Sequence, residues 1–166
     1  MNQPKLLFCS GQSFVSRLIR IFTNPLQAFR GGYVPSHVAT LAGSTIIESD
    51  IGRGVTCESV SEWKQRKQGQ KVFLVTMPDT LSEYESTQTE MRLQSFTGTK
   101  YEELHELALT ALDRNDDDAD RIFCSELVVR AWPKWIFHRF SPDNTDPDEL
   151  FRFCKNNGWK FEKVKL

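Results

Sequence analysis

Several patterns are missing from this sequence of 166 residues, and each absence excludes a class of protein. The four cysteines lie far apart and form no C-x-x-C pair, which excludes a zinc signature and a dense disulfide framework, so we expect free thiols. Gly52 and Gly54 complete no G-x-G-x-x-G, which excludes a dinucleotide-binding loop. The aspartates at 116–118 and 120 lack the spacing and the glycine of an EF-hand. We therefore predict no metal ion and no organic cofactor.

Long hydrophobic runs are missing as well. The apolar stretch at 6–9 is too short for a signal-peptide core or a membrane span, so we predict a cytoplasmic protein with no integral membrane segment. A phage or virion protein would also lack a signal peptide. Lysine and arginine total 21 against 22 acidic residues, and this balance gives no electrostatic basis for nucleic-acid binding. The basic run at 64–71 is interpreted as the solvated end of a helix.

The remaining patterns predict a mixed fold. With 39% hydrophobic and 11% aromatic content, the chain fits one domain over residues 1–166. Strand-like runs lie at 5–9, 36–42, 45–49, 55–59, 72–75 and 159–164. Helical patterns lie at 13–22, 60–70, 80–96, 101–112, 123–132 and 146–157. We predict an α+β fold in which a small antiparallel sheet packs against helices.

The segment at 121–132 carries the first chemical signal. Its apolar residues recur at helical spacing, which places Cys124 in the first turn of a helix. The first N–H groups of a helix lack intrahelical partners and carry the positive end of the dipole, so they favour a thiolate and can bind an oxyanion. Buried cysteines on amphipathic helices are nevertheless common and usually inert. Cys124 therefore needs a base elsewhere in the chain before it indicates catalysis.

A predicted hairpin supplies both a base and a carboxylate. Gly43-Ser44 is a two-residue turn signal, and it pairs position 42 with position 45. In that register His37 and Glu48 lie on one sheet face as diagonal neighbours, with Cβ atoms roughly 7 Å apart. Asp50 is a rival partner because it lies directly opposite His37. We favour Glu48, since it lies inside the second strand.

These three residues match the needs of a cysteine hydrolase, which are a thiolate, an imidazole and a third polar group that orients the imidazole. His105 and His138 are more easily explained as surface or packing residues. The alternative for His37 is a half-buried strand histidine bonded to the backbone, and the alternative for Glu48 is an exposed hairpin residue.

Several short motifs resemble those of the YiiX-like permuted NlpC-type papain-fold enzymes. They are Ser36-His37-Val38, Ile46-Ile47-Glu48, Gly54-Val55, Gly98-x-x-Tyr101 and Phe123-Cys124-Ser125-Glu126-Leu127-Val128. In that family the usual cysteine-first order is circularly permuted, and the order His37, Glu48, Cys124 matches it. The resemblance covers about residues 5–130. It implies Cys124 as nucleophile, His37 as base and Glu48 as the orienting residue, on a permuted papain-like fold.

The function predicted from the residues and the resemblance is a cysteine hydrolase of amidase or peptidase type. It would cleave an amide or ester bond through a thioester acyl-enzyme, with a peptide, an amide or an acyl-lipid as substrate. Lecithin retinol acyltransferase-like proteins share the permuted order, so a lipid-directed acyl hydrolase or acyltransferase is an alternative. A second alternative is a non-catalytic binding or virion-structural protein that retains the fold.

Overall fold

The computed structural model describes residues 3–11, 24, 26, 32–101 and 121–166. Its strands are β1 Lys5–Ser10, β2 His37–Ala42, β3 Thr45–Asp50, β4 Gly54–Ser59, β5 Lys71–Thr76 and β6 Lys160–Val164. Its α-helices are α1 Val60–Arg66, α2 Glu83–Ser95, α3 Cys124–Ala131 and α4 Pro147–Asn156, and a 3₁₀ turn spans Pro142–Asn144. The helices predicted at 13–22 and 101–112, with His105, and the aspartates at 116–120 lie outside the described residues.

The strands form one antiparallel sheet in the order β4-β3-β2-β1-β5-β6. β1 lies in the interior of this sheet because it pairs with β2 on one side and with β5 on the other, which places Cys9 opposite His37. The predicted α+β fold with an antiparallel sheet is confirmed. In the part of the chain that is described, no helix combines the length and the apolar character needed to cross a bilayer.

The β2–β3 hairpin has the register predicted from its turn. Ala42 pairs with Thr45 and Thr40 pairs with Ile47, as a two-residue loop requires. Gly43 adopts a φ of 59°, a left-handed conformation that glycine accepts without steric cost. This turn fixes which residues of β2 and β3 share a face of the sheet.

Helices cover both faces of the sheet. α3 packs against β2 and β3, where Leu127 and Val128 join a buried cluster with Val38 and Ile47. α1 packs against β3 and β4 on the opposite face, where Trp63 is buried. The Trp63 cluster also contains Leu7, Cys9, Ala39, Ile46 and Val72. The helix predicted at 60–70 is shorter in the structure, since α1 ends at Arg66, and it buries its tryptophan against the sheet.

The C-terminal elements hold α3 against the sheet. Ser125 Oγ donates a 2.5 Å hydrogen bond to the carbonyl oxygen of Thr145. Asp146 then caps α4 by accepting from the N–H of Glu149 at 2.8 Å, with Pro147 at the first helical position, where proline is favoured. Aromatic rings pack between the end of α3 and this region: Trp132, Phe137, Phe140, Phe153 and Trp159. The first turn of α3 is thereby fixed relative to β2 and β3.

Candidate active site

Cys124 is the first residue of α3, in agreement with the predicted position in the first turn. The N-cap residue Phe123 has no side-chain oxygen, and Glu126 accepts instead from the N–H of Phe123 at 3.2 Å. No N-cap side chain therefore occupies the first-turn N–H groups beside the sulfur. The Cys124 side chain is nearly enclosed, with 4% of the residue exposed. The thiol thus lies against the positive end of a helix and largely out of bulk water.

His37 and Glu48 are in direct contact. His37 Nε2 lies 2.6 Å from Glu48 Oε2, and the Glu48 side chain is completely buried. His37 opens β2 and Glu48 lies inside β3, so the confirmed hairpin register brings the two side chains together. The alternative of an exposed hairpin residue does not apply to Glu48.

The imidazole also meets Cys124. Strand alternation turns His37 toward the α1 face, but as the first residue of β2 it lies at the end of a strand, where the Cys124 side chain is close enough to raise the pKa of the imidazole. Since Nε2 faces Glu48, Nδ1 is the ring nitrogen left for the sulfur. The structure therefore brings all three predicted site residues together, in the order Cys124, His37, Glu48.

The charge state of His37 results from opposing influences. Burial and the Lys67 ammonium group oppose protonation, but Glu48 and Cys124 outweigh them and raise the pKa of His37 to about 9. At neutral pH the imidazole is therefore protonated beside the Cys124 sulfur. A protonated imidazole can stabilise a thiolate and can donate a proton to a leaving group.

Glu48 remains ionised despite its complete burial. Burial opposes its ionisation, but His37, Lys67 and Trp63 together hold the pKa of Glu48 well below its usual range. Trp63 Nε1 donates to Oε2 at 3.0 Å, and Lys67 Nζ lies 3.4 Å from the same oxygen. Arg66 Nη2 donates to Oε1. Both carboxylate oxygens are thus hydrogen-bonded or ion-paired, which fixes the orientation of the carboxylate and keeps Oε2 toward His37.

Asp50, the rival carboxylate, is engaged elsewhere. Its Oδ2 accepts from Arg66 Nη1 at 2.6 Å and from Lys67 Nζ at 2.9 Å. Its influence on His37 is through charge, and the positive charge of His37 helps to lower the pKa of Asp50 against the opposing effect of burial. Of the two carboxylates Glu48 and Asp50, Glu48 is the one that accepts a hydrogen bond from the imidazole of His37.

Arg66 and Lys67 are residues of the site that the sequence-based reasoning missed. The prediction that the basic run at 64–71 is a solvated helix end is wrong for both, because Lys67 is buried and Arg66 is half-buried in ion pairs with Glu48 and Asp50. A usable signal was present. Trp63, Arg66 and Lys67 stand at positions i, i+3 and i+4, so they share one helix face, and Trp63 is the residue expected to be buried.

The other candidate residues lie apart from this site. His138 is exposed and its Nδ1 lies 3.2 Å from the carbonyl oxygen of Trp135, as expected for a surface residue. All four cysteines are free thiols, with Cys57 exposed and Cys9 and Cys154 buried. Burial raises the pKa of Cys9 and of Cys154. Neither buried thiol is therefore in a state that favours nucleophilic attack.

The segment before Cys124 is tied to two strands of the sheet. Ser49 Oγ donates to the carbonyl oxygen of Ile122 at 2.6 Å, and the N–H of Ile122 donates to the carbonyl oxygen of Lys100 at 3.0 Å. The preceding residue, Thr99, accepts in turn from the N–H of Val55 in β4 at 2.8 Å. These backbone and side-chain bonds connect β3 and β4 to the start of α3.

Comparison with known proteins supports the fold but names no activity. No protein-family model and no curated protein sequence match the chain. The crystal structure of the metalloprotein yiiX from Escherichia coli O157:H7 is similar, with a TM-score of 0.54 and 16% sequence identity. The match covers 78% of this chain and 63% of that one, so this chain spans less than two thirds of the length of yiiX. The chain has a YiiX-like α+β fold, as its motifs predicted.

Proposed function

We propose that this protein is a cysteine hydrolase in which Cys124 is the nucleophile, His37 the acid and base, and Glu48 the residue that orients His37. The observation that carries the proposal is the 2.6 Å contact of His37 with the wholly buried Glu48, close enough to Cys124 at a helix N-terminus for the thiol to raise the pKa of His37. The YiiX-like fold supports it, as does the order His37, Glu48, Cys124 in the sequence, which is the order that the motif resemblance implies. The hairpin carries His37 and Glu48, and Cys124 comes from a helix much later in the chain, so their proximity supports roles as base, orienting group and nucleophile.

The proposed reaction proceeds through a thioester. The Cys124 thiolate attacks the carbonyl carbon of an amide or ester, and first-turn N–H groups of α3 hold the developing oxyanion. His37 gives its Nδ1 proton to the departing amine or alcohol as the carbonyl–heteroatom bond breaks. Neutral His37 then takes a proton from water, whose oxygen attacks the thioester and releases the carboxylic acid and the Cys124 thiolate.

No step of this reaction is assigned to a metal ion, although the structure of similar fold is that of the metalloprotein yiiX. Within the residues that the structure describes, no three or more His, Cys, Asp or Glu side chains are grouped to hold a metal. The carboxylates nearest His37 are Glu48 and Asp50, and both are already bound to Arg66 and Lys67. A cation at this position would face two positive side chains, so these residues do not fit a metal site.

Turnover by matched variants tests the proposal. A panel of amide, peptide and acyl-ester substrates first identifies one that the wild-type protein cleaves. Cys124→Ser and His37→Ala are expected to abolish this cleavage, and Glu48→Gln to lower it about 10- to 1000-fold. Cys57→Ser is the control, since Cys57 is exposed and outside the site. Full cleavage by a folded Cys124→Ser variant would contradict the proposal.

A further inference from the structure

A cluster of charged side chains lies behind the His37–Glu48 pair. Glu48 and Asp50 extend from β3 and Glu58 from β4, while Arg66 ends α1 and Lys67 follows it. Arg66 contacts all three carboxylates, and Lys67 contacts Glu48 and Asp50. Lys67 is the more buried of the two cations.

The burial of Lys67 requires an explanation, because an ammonium group loses much of its hydration there and the cost is recovered only with close partners. Lys67 Nζ has two such partners, Asp50 Oδ2 at 2.9 Å and Glu48 Oε2 at 3.4 Å. The second of these oxygens also accepts from His37. Lys67 therefore competes with the imidazole for the negative charge of a single carboxylate oxygen.

With the rim residue Arg53 left out, the charges of the cluster balance only when His37 is protonated. Glu48, Asp50 and Glu58 supply three negative charges, against two positive charges from Arg66 and Lys67. Arg53 adds a 3.4 Å contact to Glu58 at the exposed rim, where solvent weakens it. A proton on His37 completes the balance, and removal of a cation from the cluster would make that proton harder to release.

We propose that Lys67 is a positioning residue, which anchors Glu48 and Asp50 beneath His37 and limits how tightly the imidazole holds its proton. The limit matters because His37 must both release a proton to the leaving group and take one from water in each cycle. A base performs both steps best when its proton affinity is close to the working pH. Without Lys67, Glu48 would hold His37 in the protonated form more strongly.

The titratable and charged groups around His37 come from several elements. They are Glu48 and Asp50 on β3, Cys9 opposite His37 on β1, Cys124 at the start of α3, and Arg66 and Lys67 at the end of α1. Lys67 is the cation that opposes the protonation of His37 directly. Asp50 carries a negative charge and pairs with the positive charge of Lys67. Neutral substitutions at the two positions are therefore expected to shift the titration midpoint of His37 in opposite directions.

Titration of His37 by NMR tests this inference. The full-length protein carries isotope-labelled histidine, and the His37 signal is assigned by its loss in His37→Gln. Lys67→Gln is expected to raise the titration midpoint by about one pH unit, a tenfold gain in proton affinity. Asp50→Asn is expected to lower it, and Lys67→Arg to leave it near the wild-type value. Lys64→Gln is the matched control, since Lys64 is an exposed lysine of the same helix.

The inference is overturned if Lys67→Gln shifts the midpoint no more than Lys64→Gln does, or if Asp50→Asn raises it. Should Lys67→Gln fail to fold, Asp50→Asn decides the matter alone, and no downward shift would overturn the inference. The role of Lys67 in turnover rests on the proposed function, but the titration is measured without substrate. Failure of the proposed function would appear separately, as turnover that survives Cys124→Ser.

Discussion

Ser49 donates a 2.6 Å hydrogen bond to the carbonyl oxygen of Ile122, and each of the two residues lies next to the site. Ser49 follows Glu48 in β3, and Ile122 precedes the N-cap of the Cys124 helix. The bond is buried and joins residues 73 positions apart. It therefore fixes the separation between the strand that carries the orienting carboxylate and the helix that carries the thiol.

Removal of this bond is expected to lower the stability of the folded protein. Ser49→Ala leaves the Ile122 carbonyl without its buried donor, at a cost of about 1–3 kcal/mol in the free energy of unfolding. Urea unfolding measures this cost as a lower midpoint with an unchanged slope. Ser95→Ala is the control, because Ser95 donates to the carbonyl oxygen of Arg92 on the exposed surface. Equal midpoints for the two variants would mean that the Ser49 bond contributes nothing.

Gly54 is expected to tolerate substitution less well than Gly52, although both have a positive φ, of 68° and 74°. A Cβ at Gly54 would overlap the carbonyl oxygen of Thr99, whereas a Cβ at Gly52 would meet open space. Gly52→Ala should cost about 1 kcal/mol through backbone strain alone. Gly54→Ala should cost a further ~1–3 kcal/mol through the overlap. Thermal unfolding of the two variants compares them directly, and equal melting temperatures would contradict the close approach.

Protonation of His37 is expected to stabilise the fold in a defined pH range. Its pKa in the folded protein is about 9, above the value of about 6.5 for an unfolded histidine. The stabilisation is therefore complete below pH ~6.5 and is lost as the pH rises through about 9, with a total on the order of 3 kcal/mol. Urea unfolding at several pH values, compared with His37→Gln, measures this difference. Parallel pH profiles for the two proteins would show that His37 is not linked to folding.

The hairpin and the Cys124 helix could be predicted because their signals are local. Gly43-Ser44 admits few turn geometries, and a two-residue loop then sets the whole register of β2 and β3. The apolar spacing from Phe123 onward likewise gives the face and the first turn of α3. The contact of His37 with Glu48 followed from the hairpin register, because alternating strand residues place both side chains on one face of the sheet.

The role of Lys67 could not be predicted in the same way, because it depends on which element lies beneath α1. Lys67 stands in a polar run that is typical of a solvated surface, and only the packing of α1 on β3 and β4 brings it to Glu48. The interior position of β1 is a similar case. Its pairing with β5 joins segments about 65 residues apart, and no local pattern specifies such a partner.

The rate of alkylation at each cysteine tests the central claim most directly, because exposure and activation predict opposite orders. Cys57 is exposed while Cys124 is 4% exposed, so access alone would make Cys57 react first. If His37 activates Cys124, iodoacetamide at near-neutral pH should label Cys124 about tenfold faster than Cys57, and far faster than Cys9 and Cys154. His37→Ala should remove this advantage. Faster labelling of Cys57, with Cys124 as slow as the buried thiols in the wild-type protein, would contradict a catalytic role for Cys124.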